Sequence, residues 1–427
     1  MSSSKLALGI DFGTSGARAI AINPTGEIVD SARQPFLAGE VSSPNAWQRL
    51  LWQLLDSIAL PVRDRLSKIA INATSATVLL CDRTSQPLTP ALLYNDTTAR
   101  SLLSTVQAIA PSGSPTCSAT SSLVKALWWQ KTLSPEVLEQ VAVLCHQADW
   151  LAGLLHAQPP VSDYHNVLKL GYDVRQLCYP DWLLALPIAA WLPEVKVPGA
   201  VIAAISPDIA RRFAIPTTCQ ICAGTTDSIA AFLASGAVQA GDAVTSLGST
   251  LVLKLLSKTR IDDQAYGVYS HRLGDLWLVG GASNTGGAVL KTYFSSDKIA
   301  QLSAQIDLSL PCNLHYYPLN SPGERFPVND PDRLPQLTPR PESDVEFLYG
   351  MLDAIARIEA EGYQKLQSLG APALRRLYTA GGGAKNEKWQ QLRARHLYHL
   401  RGEVAVMRAE STEAAYGTAT LAMNGLN

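Results

Sequence analysis

Two short acidic segments, far apart in the chain, carry the residues best suited to chemistry. One is Leu8-Gly-Ile-Asp11-Phe-Gly13-Thr14-Ser15-Gly16, and the other is Ala223-Gly224-Thr225-Thr226-Asp227-Ser228. Each follows an apolar run and sets a carboxylate among small and hydroxyl residues. A turn of that composition offers backbone N–H groups and hydroxyls to phosphate oxygens. It also leaves an aspartate beside them for a metal ion or a proton. Two such turns imply phosphates held between two lobes, which is the layout for phosphoryl transfer from ATP.

Within the first segment, glycine permits the turn and Thr14 and Ser15 can donate to phosphate. Asp11 can reach Mg²⁺ through water or accept from a substrate hydroxyl. A plain β-turn with Asp11 capping the backbone fits the same residues. Asp227 is the candidate general base, placed to take a proton from a sugar hydroxyl as the phosphoryl group moves. It also precedes a helical run, so an N-cap role is equally readable, and one residue can do both. Gly381-Gly-Gly383-Ala-Lys-Asn386 follows a strand and opens a helix, where bare glycines let a flat ring or a phosphate approach the backbone. Gly280-Gly281 and Gly286-Gly287 offer the same choice between binding and a tight turn. Gly286-Gly-Ala-Val-Leu-Lys291-Thr292 is not a P-loop, because Leu290 stands where glycine must precede the lysine. No GxGxxG follows a strand, so a dinucleotide site is excluded as well.

These segments need elements to hold them. Leu6–Ile10 and Ala17–Ile22 read as strands around the Asp11 turn, with a hairpin at Asn23-Pro-Thr-Gly26 and a returning strand over 27–32. Apolar positions Trp47, Leu50, Leu51, Leu54 and Leu55 predict a helix over 45–58. Residues 68–72 and 77–82 read as strands, and 123–129 and 135–143 as helices. A second set begins near Gln220: strand 221–223, a turn to Asp227, then a small-residue helix over 229–235. Ala243–Leu247, Gly248-Ser-Thr250 and Leu251–Leu255 repeat the strand, turn, strand pattern of the N-terminus, which suggests two lobes with related cores. Residues 308–341 are rich in proline and form a linker or a structured loop over a site. Ser343-Asp-Val-Glu346 is a capping box opening a helix that runs to about Ser368 and stops at Gly370. Leu377–Ala380 reads as a strand, with a helix after it through Arg395. The final helix, from Ser411, carries Ala414, Ala415, Gly417, Ala419 and Ala422, a stripe that permits close approach.

At 427 residues the chain suits two domains. A net charge of −1 gives no overall basic excess for nucleic acid. The first apolar run is too short for a signal h-region, and no apolar stretch reaches the ~18 residues of a membrane span. The seven cysteines are scattered, and Cys219-Gln-Ile-Cys222 lies in an apolar run, which reads as buried reduced thiols. His396-Leu-Tyr-His399 shares a helix face but has no acidic or cysteine neighbour in sequence, so a metal role is not expected.

Taken together and in order, five segments resemble the FGGY carbohydrate kinase family. They are Gly9-Ile-Asp11-Phe-Gly-Thr-Ser15, Ala223-Gly-Thr-Thr-Asp227-Ser228, Gly323-Glu-Arg-Phe-Pro327 before Asp330-Pro331, Gly381-Gly-Gly-Ala-Lys-Asn386 and Glu413-Ala-Ala-Tyr-Gly417-Thr-Ala419. Each is short, but their order covers nearly the whole chain. The resemblance implies an α/β protein with two ribonuclease H-like domains of the actin/hexokinase/chaperone ATPase superfamily and an interdomain cleft. The expected domains are a sugar-binding one over 1–225, joined by a C-terminal helix over 408–427, and an ATP-binding one over 226–407. By match to the family's motifs, Asp227 would be the catalytic base and Asp11 would serve Mg²⁺ and the sugar. Gly13, Thr14, Ser15, Gly248 and Ser249 would meet ATP phosphates. Gly287 would contact the nucleotide, and Gly382 and Asn386 would flank the adenine. The implied partners are ATP with Mg²⁺ and a small-molecule sugar, with no nucleic acid and no membrane, in the cytoplasm.

The sugar side departs from the family pattern. Thr74-Ser75-Ala76 replaces a large polar pair, leaving Ser75 to reach a hydroxyl. Tyr94-Asn95-Asp96-Thr97-Thr98 stands where Trp-x-Asp-x-Arg is common, and Asp96 is assigned either to sugar or to its own turn. Ser162-Asp163-Tyr-His-Asn166-Val-Leu-Lys169-Leu-Gly-Tyr-Asp173 looks like the pentulose-kinase branch, close to D-ribulose kinases. The expectation is a kinase for the terminal hydroxyl of a ketopentose, D-ribulose first. The alternatives are D-xylulose or another polyol, and a nucleotide-switched ATPase that turns over no sugar.

Overall fold

Leu6–Phe12 forms the first strand, β1, and is buried along almost its whole length. A strand with neighbours on both edges and cover on both faces reads as such a continuous apolar run. In the computed structural model, residues 5–401 and 404–426 are described, with side chains for 5–398 and 404–426. After β1 come β2 (Gly16–Ile22), β3 (Ile28–Pro35), β4 (Leu66–Ala73), β5 (Val78–Cys81), β6 (Val143–His146), β7 (Val161–Asp163), β8 (Glu194–Lys196), β9 (Val201–Ala204) and β10 (Gln220–Thr226). Six of these make one mixed sheet in the order β3-β2-β1-β4-β10-β9. β1 pairs antiparallel with β2 and parallel with β4, and β4 pairs parallel with β10. The carboxyl ends of β1 and β10 therefore emerge on the same side of the sheet. That places Asp11 and Asp227 at one rim.

The second six-stranded sheet is built from β11 (Asp242–Leu247), β12 (Leu251–Ser257), β13 (Tyr269–Leu273), β14 (Leu276–Ser283), β15 (Arg376–Ala380) and β16 (Ala405–Arg408). Its order is β13-β14-β12-β11-β15-β16. β11 pairs antiparallel with β12 and parallel with β15. The echo in the sequence is thus an echo in topology. In each sheet a central strand turns back on an antiparallel partner through a Gly/Ser/Thr turn and takes a parallel partner on its other edge.

Contacts divide the chain into two units, 1–234 with 413–427, and 235–412. The expected boundary at 225/226 would have cut between Thr226, the last residue of β10, and the helix Asp227–Leu233 that follows directly. The observed division keeps that helix with the first sheet, because it packs on the C-terminal helix Ala414–Asn424. A Cβ on Gly417 would lie 1.9 Å from Ala230 O, and one on Gly9 would lie 2.1 Å from Ala415 O. No side chain fits either place, so the small-residue stripe is what brings backbone against backbone. The helix itself begins at Ala414 and not at Ser411.

Other expectations shift for local reasons. The helix predicted over 135–143 stops at Leu138, and Val143 starts β6, pairing with Cys81. Ser343 caps the helix Asp344–Ser368 by accepting from Glu346 N at 3.3 Å, and that helix buries one long apolar side. The proline-rich stretch is a structured loop anchored by Glu324. This buried carboxylate accepts from Ser283 Oγ at 2.6 Å, Asn284 N at 2.8 Å and Tyr317 Oη at 3.1 Å. Cys219 and Cys222 are buried and free, their thiols pushed up to about 12 and about 11, chiefly by burial. Among the described residues no helix is long and apolar enough to cross a membrane.

Candidate active site

In the first unit, Asp11, Gly13, Thr14, Ser15, Arg18 and Asp227 line a cavity of about 370 Å³. β1 delivers Asp11, and the β1–β2 turn delivers the glycine and both hydroxyls. That turn is closed by Gly13 N donating to Gly16 O at 3.0 Å, and it leaves Thr14 and Ser15 exposed. Asp227 is the first residue of the helix after β10, and the cap position belongs to Thr226. The Asp227 carboxylate accepts from Ser228 N at 2.7 Å. The N-cap reading of Asp227 therefore moves one residue back, and its carboxylate stands in the first helical turn, where the helix dipole favours its charge.

Two carboxylates in one pocket oppose each other's ionisation. Burial pushes the Asp11 carboxyl up to about 7, and the Asp227 carboxylate adds to the rise. Arg18, its cross-strand partner, pulls the other way, though that guanidinium is also paired with Glu413. A divalent cation fits this donor set. Two carboxylates facing one space are relieved by positive charge, and Mg²⁺ is bound by one or two carboxylates plus phosphates and water. No group of three His, Cys, Asp or Glu that would form an all-protein metal cage occurs among the described residues.

Ser75 and Asp96 are not among the residues that line this cavity. Ser75 is half-buried in the loop after β4. Asp96 accepts from Thr98 N at 2.8 Å, so it closes its own turn. Two lysines stand near these segments: Lys125, which donates to Ala76 O and Leu93 O, and Lys169 of the segment 162–173. Lys125 is buried, and its ammonium is pushed down to about 8 by burial, with the Asp96 charge acting against the fall. Lys169 adds repulsion to Lys125 and is itself within the field of Asp227. The segment around it is tied to β10 by His165 Nδ1 and Thr225 Oγ1 at 2.8 Å. An apolar-flanked lysine in a helix carries no signal that it is buried; only the loops folded over it show that.

In the second unit, Gly248, Ser249, Gly287, Gly382 and Asn386 line a cavity of about 750 Å³. That size lies in the range of small-molecule sites. The Gly248–Ser249 turn is zipped to the start of the helix Gly287–Tyr293. Gly287 N donates to Gly248 O at 2.9 Å and Ala288 N to Ser249 O at 3.0 Å. Packing requires two of the three glycines after β15, because a Cβ on Gly381 would meet Leu247 O at 2.7 Å and one on Gly383 would meet Trp389 at 2.6 Å. Nothing lies within 4 Å of a Cβ on Gly382, so its open side faces space. Asn386 donates to Ser303 Oγ at 2.8 Å and accepts from Trp389 N at 3.0 Å. It thereby fixes the mouth as well as lining it. Leu290, Ile299 and Ala300 supply an apolar wall, and Lys291 and Lys385 supply cations. The helix Ser296–Gln305 that brings Ile299 and Ala300 has ordinary amphipathic composition, which carries no sign of this role. His396 has an acidic partner after all, Asp353 Oδ1 at 2.8 Å, which the fold supplies from another helix. The His399 side chain lies outside the described residues.

Comparison with known proteins covers both units. Residues 6–234 match the N-terminal domain of the FGGY family of carbohydrate kinases, and 243–426 match its C-terminal domain. The chain is 24% identical to the xylulose kinase of Escherichia coli over 421 residues, covering 91% of this chain and 84% of that protein. Its fold matches the crystal structure of xylulose kinase from Rhodospirillum rubrum with a TM-score of 0.79 at 19% identity, covering 99% of this chain and 90% of the other. It also matches Plasmodium falciparum glycerol kinase with ADP, with a TM-score of 0.81 at 17% identity, over 98% and 89% of the two chains. The two units with their mixed sheets correspond to the two domains of a carbohydrate kinase. The chain belongs to the FGGY family of carbohydrate kinases.

Proposed function

We propose that this chain is an ATP- and Mg²⁺-dependent kinase for the terminal hydroxyl of a ketopentose. The observation that carries the reading is the pairing of Asp11 and Asp227 on one pocket beside the free hydroxyl turn Thr14-Ser15. D-xylulose is the first candidate, because the relatives it resembles over most of their length bear that name. D-ribulose, suggested by Ser162–Asp173, is the second.

In this reading Asp227 accepts the proton of the sugar hydroxyl as its oxygen bonds to the γ-phosphorus. The bond from that phosphorus to the bridging oxygen of ADP breaks, and the proton remains on Asp227 until product leaves. Thr14, Ser15 and the Gly248–Ser249 turn hold phosphate oxygens. Gly382 and Asn386 hold the adenine side. Asp11 would hold the divalent cation through water, and the cation, when bound, supplies charge neutralisation on the phosphates.

The test is sugar-dependent ADP release with Mg²⁺ across D-xylulose, D-ribulose, L-xylulose, L-ribulose, gluconate and glycerol. Strong stimulation by one ketopentose supports the reading and selects its substrate. Stimulation by gluconate or glycerol alone replaces the ketopentose. ADP release indifferent to every sugar favours a nucleotide-switched ATPase instead.

A further inference from the structure

Gly280 and Gly281 lie in the middle of β14 and not in a turn. Successive residues of a strand face opposite sides of the sheet, so the two glycines do different work. A Cβ on Gly281 would stand 2.7 Å from the Phe326 ring, and this glycine admits that ring to the core. A Cβ on Gly280 would stand 2.8 Å from Leu253 O, where β12 comes close. The absence of a side chain there leaves a notch in the other face of the sheet. Lys254 of β12 and Tyr269 of β13 are the cross-strand neighbours of Gly280. They stand two strand spacings apart, roughly 10 Å, with only the glycine between them.

The notch belongs to a cavity of about 250 Å³. Along β14 its floor continues through Ala282, paired with Val252, and Leu278, paired with His271. Tyr266 and Arg325 line it as well, and Lys365 lies over the Tyr266 ring, 4.2 Å from the centroid. None of its lining residues belongs to either cavity described above.

The charge on this cavity has one sign. A lysine, an arginine and a histidine line it, and no aspartate or glutamate occurs among the described residues that do. The chain as a whole carries a net charge of −1, so such a grouping is local. Nearby carboxylates are engaged elsewhere. Asp262 accepts from Ser270 N at 2.8 Å and from Arg260 Nε at 2.6 Å, and Asp263 accepts from Tyr266 N at 3.2 Å. Glu324, beside Arg325 in sequence, is held by Ser283 and Tyr317. Cationic donors and tyrosine hydroxyls around a small concavity match a phosphate group, whose oxygens take several charge-assisted hydrogen bonds at once. The floor of Ala282 and Leu278, with Val252 beside it, is apolar and suits a short carbon skeleton.

We propose that this notch on the second sheet binds a compact phosphate-bearing metabolite, of about the size of a pentose phosphate. The proposal stands apart from the choice of sugar acceptor, because it uses no residue of the kinase site.

The test is calorimetric titration of the full chain with ribose 5-phosphate and, separately, with inorganic phosphate. Saturating ADP and Mg²⁺ are present throughout to occupy nucleotide sites. Wild type is compared with K254M, R325M and Y269A, with thermal unfolding and basal ADP release alongside. Ribose 5-phosphate should bind once per chain, and K254M and R325M should each weaken it about tenfold or more. Y269A should weaken it about threefold or more, and inorganic phosphate should show the same order of variants at lower affinity. K254M should melt and release ADP as wild type does. No saturable binding of either anion up to about 10 mM would overturn the proposal. So would binding of undiminished strength in folded K254M and R325M, which would place the anion elsewhere on the chain. Should K254M fail to fold, K254Q and R325M carry the comparison. Unfolding of all three would also overturn the proposal, since these charges would then serve the fold and not a ligand.

Discussion

Asp227 stands across a pocket from Asp11, and after burial it is the chief reason that the Asp11 carboxyl holds its proton up to about 7. The two residues come from strands that are not adjacent, β1 and β10, with β4 between them. Their mutual repulsion makes the pocket receptive to positive charge.

The base role predicts a loss in the chemical step. Asp227→Ala should lower kcat by about a hundredfold or more, with ATP KM changed little. Sugar-dependent ADP release at saturating substrates measures it, and near-wild-type turnover would remove Asp227 from the mechanism.

Asp11 predicts a stability gain bought at the expense of activity. Its carboxyl is raised from an ordinary value near 3.8 to about 7 in the folded chain. Between those pH values the folded state binds more protons than the unfolded one, so stability falls as pH rises through this window. Below about pH 4 the penalty is absent, and above 7 it is complete. Asp11→Asn removes it, so at pH 8 without metal the variant should melt about 5 °C higher than wild type. At pH 4 the difference should vanish, and scanning calorimetry at both pH values is the check. An equal shift at both would point to a cause other than ionisation.

Gly382 separates binding from folding. A Cβ there has no neighbour within 4 Å, so Gly382→Leu should leave the melting temperature within about 1 °C and raise ATP KM tenfold or more. Gly383→Ala is the control, because its Cβ would sit 2.7 Å from Leu247 Cβ and should cost about 1–3 kcal/mol. Urea unfolding and ATP titration together distinguish the two positions.

A buried ion pair ties the second unit together. Arg393 donates to Glu359 at 2.5 and 2.7 Å and to Thr379 Oγ1 at 2.7 Å, while Thr245 Oγ1 donates to Glu359 at 2.5 Å. Arg393→Met leaves the Glu359 carboxylate buried without its cation and should cost about 3–5 kcal/mol in urea unfolding. The double variant Arg393→Met with Glu359→Met should recover much of that loss. A double variant no more stable than the single would mean that the pair contributes directional hydrogen bonding that apolar packing does not replace.

Much of the candidate site is legible along the chain, because its signals are local. A turn such as Asp11-Phe-Gly-Thr-Ser is defined by residues that touch one another in sequence, and so are the Asp227 helix start and the glycines before Asn386. The strand, turn, strand repeat announces two related sheets for the same reason, since pleat and turn chemistry act over a few residues. Distance in sequence hides the rest. That Asp11 and Asp227 share a pocket depends on β1 and β10 both running parallel to β4. That Lys125 is buried depends on loops more than thirty residues upstream closing over it. That residues 413–427 belong with the first sheet depends on Gly9 and Gly417 letting helix and strand backbones touch. Composition supplied the small residues, the lysine and the carboxylates. Packing alone decided which of them meet, because burial and charge coupling belong to the folded neighbourhood and not to any segment of the chain.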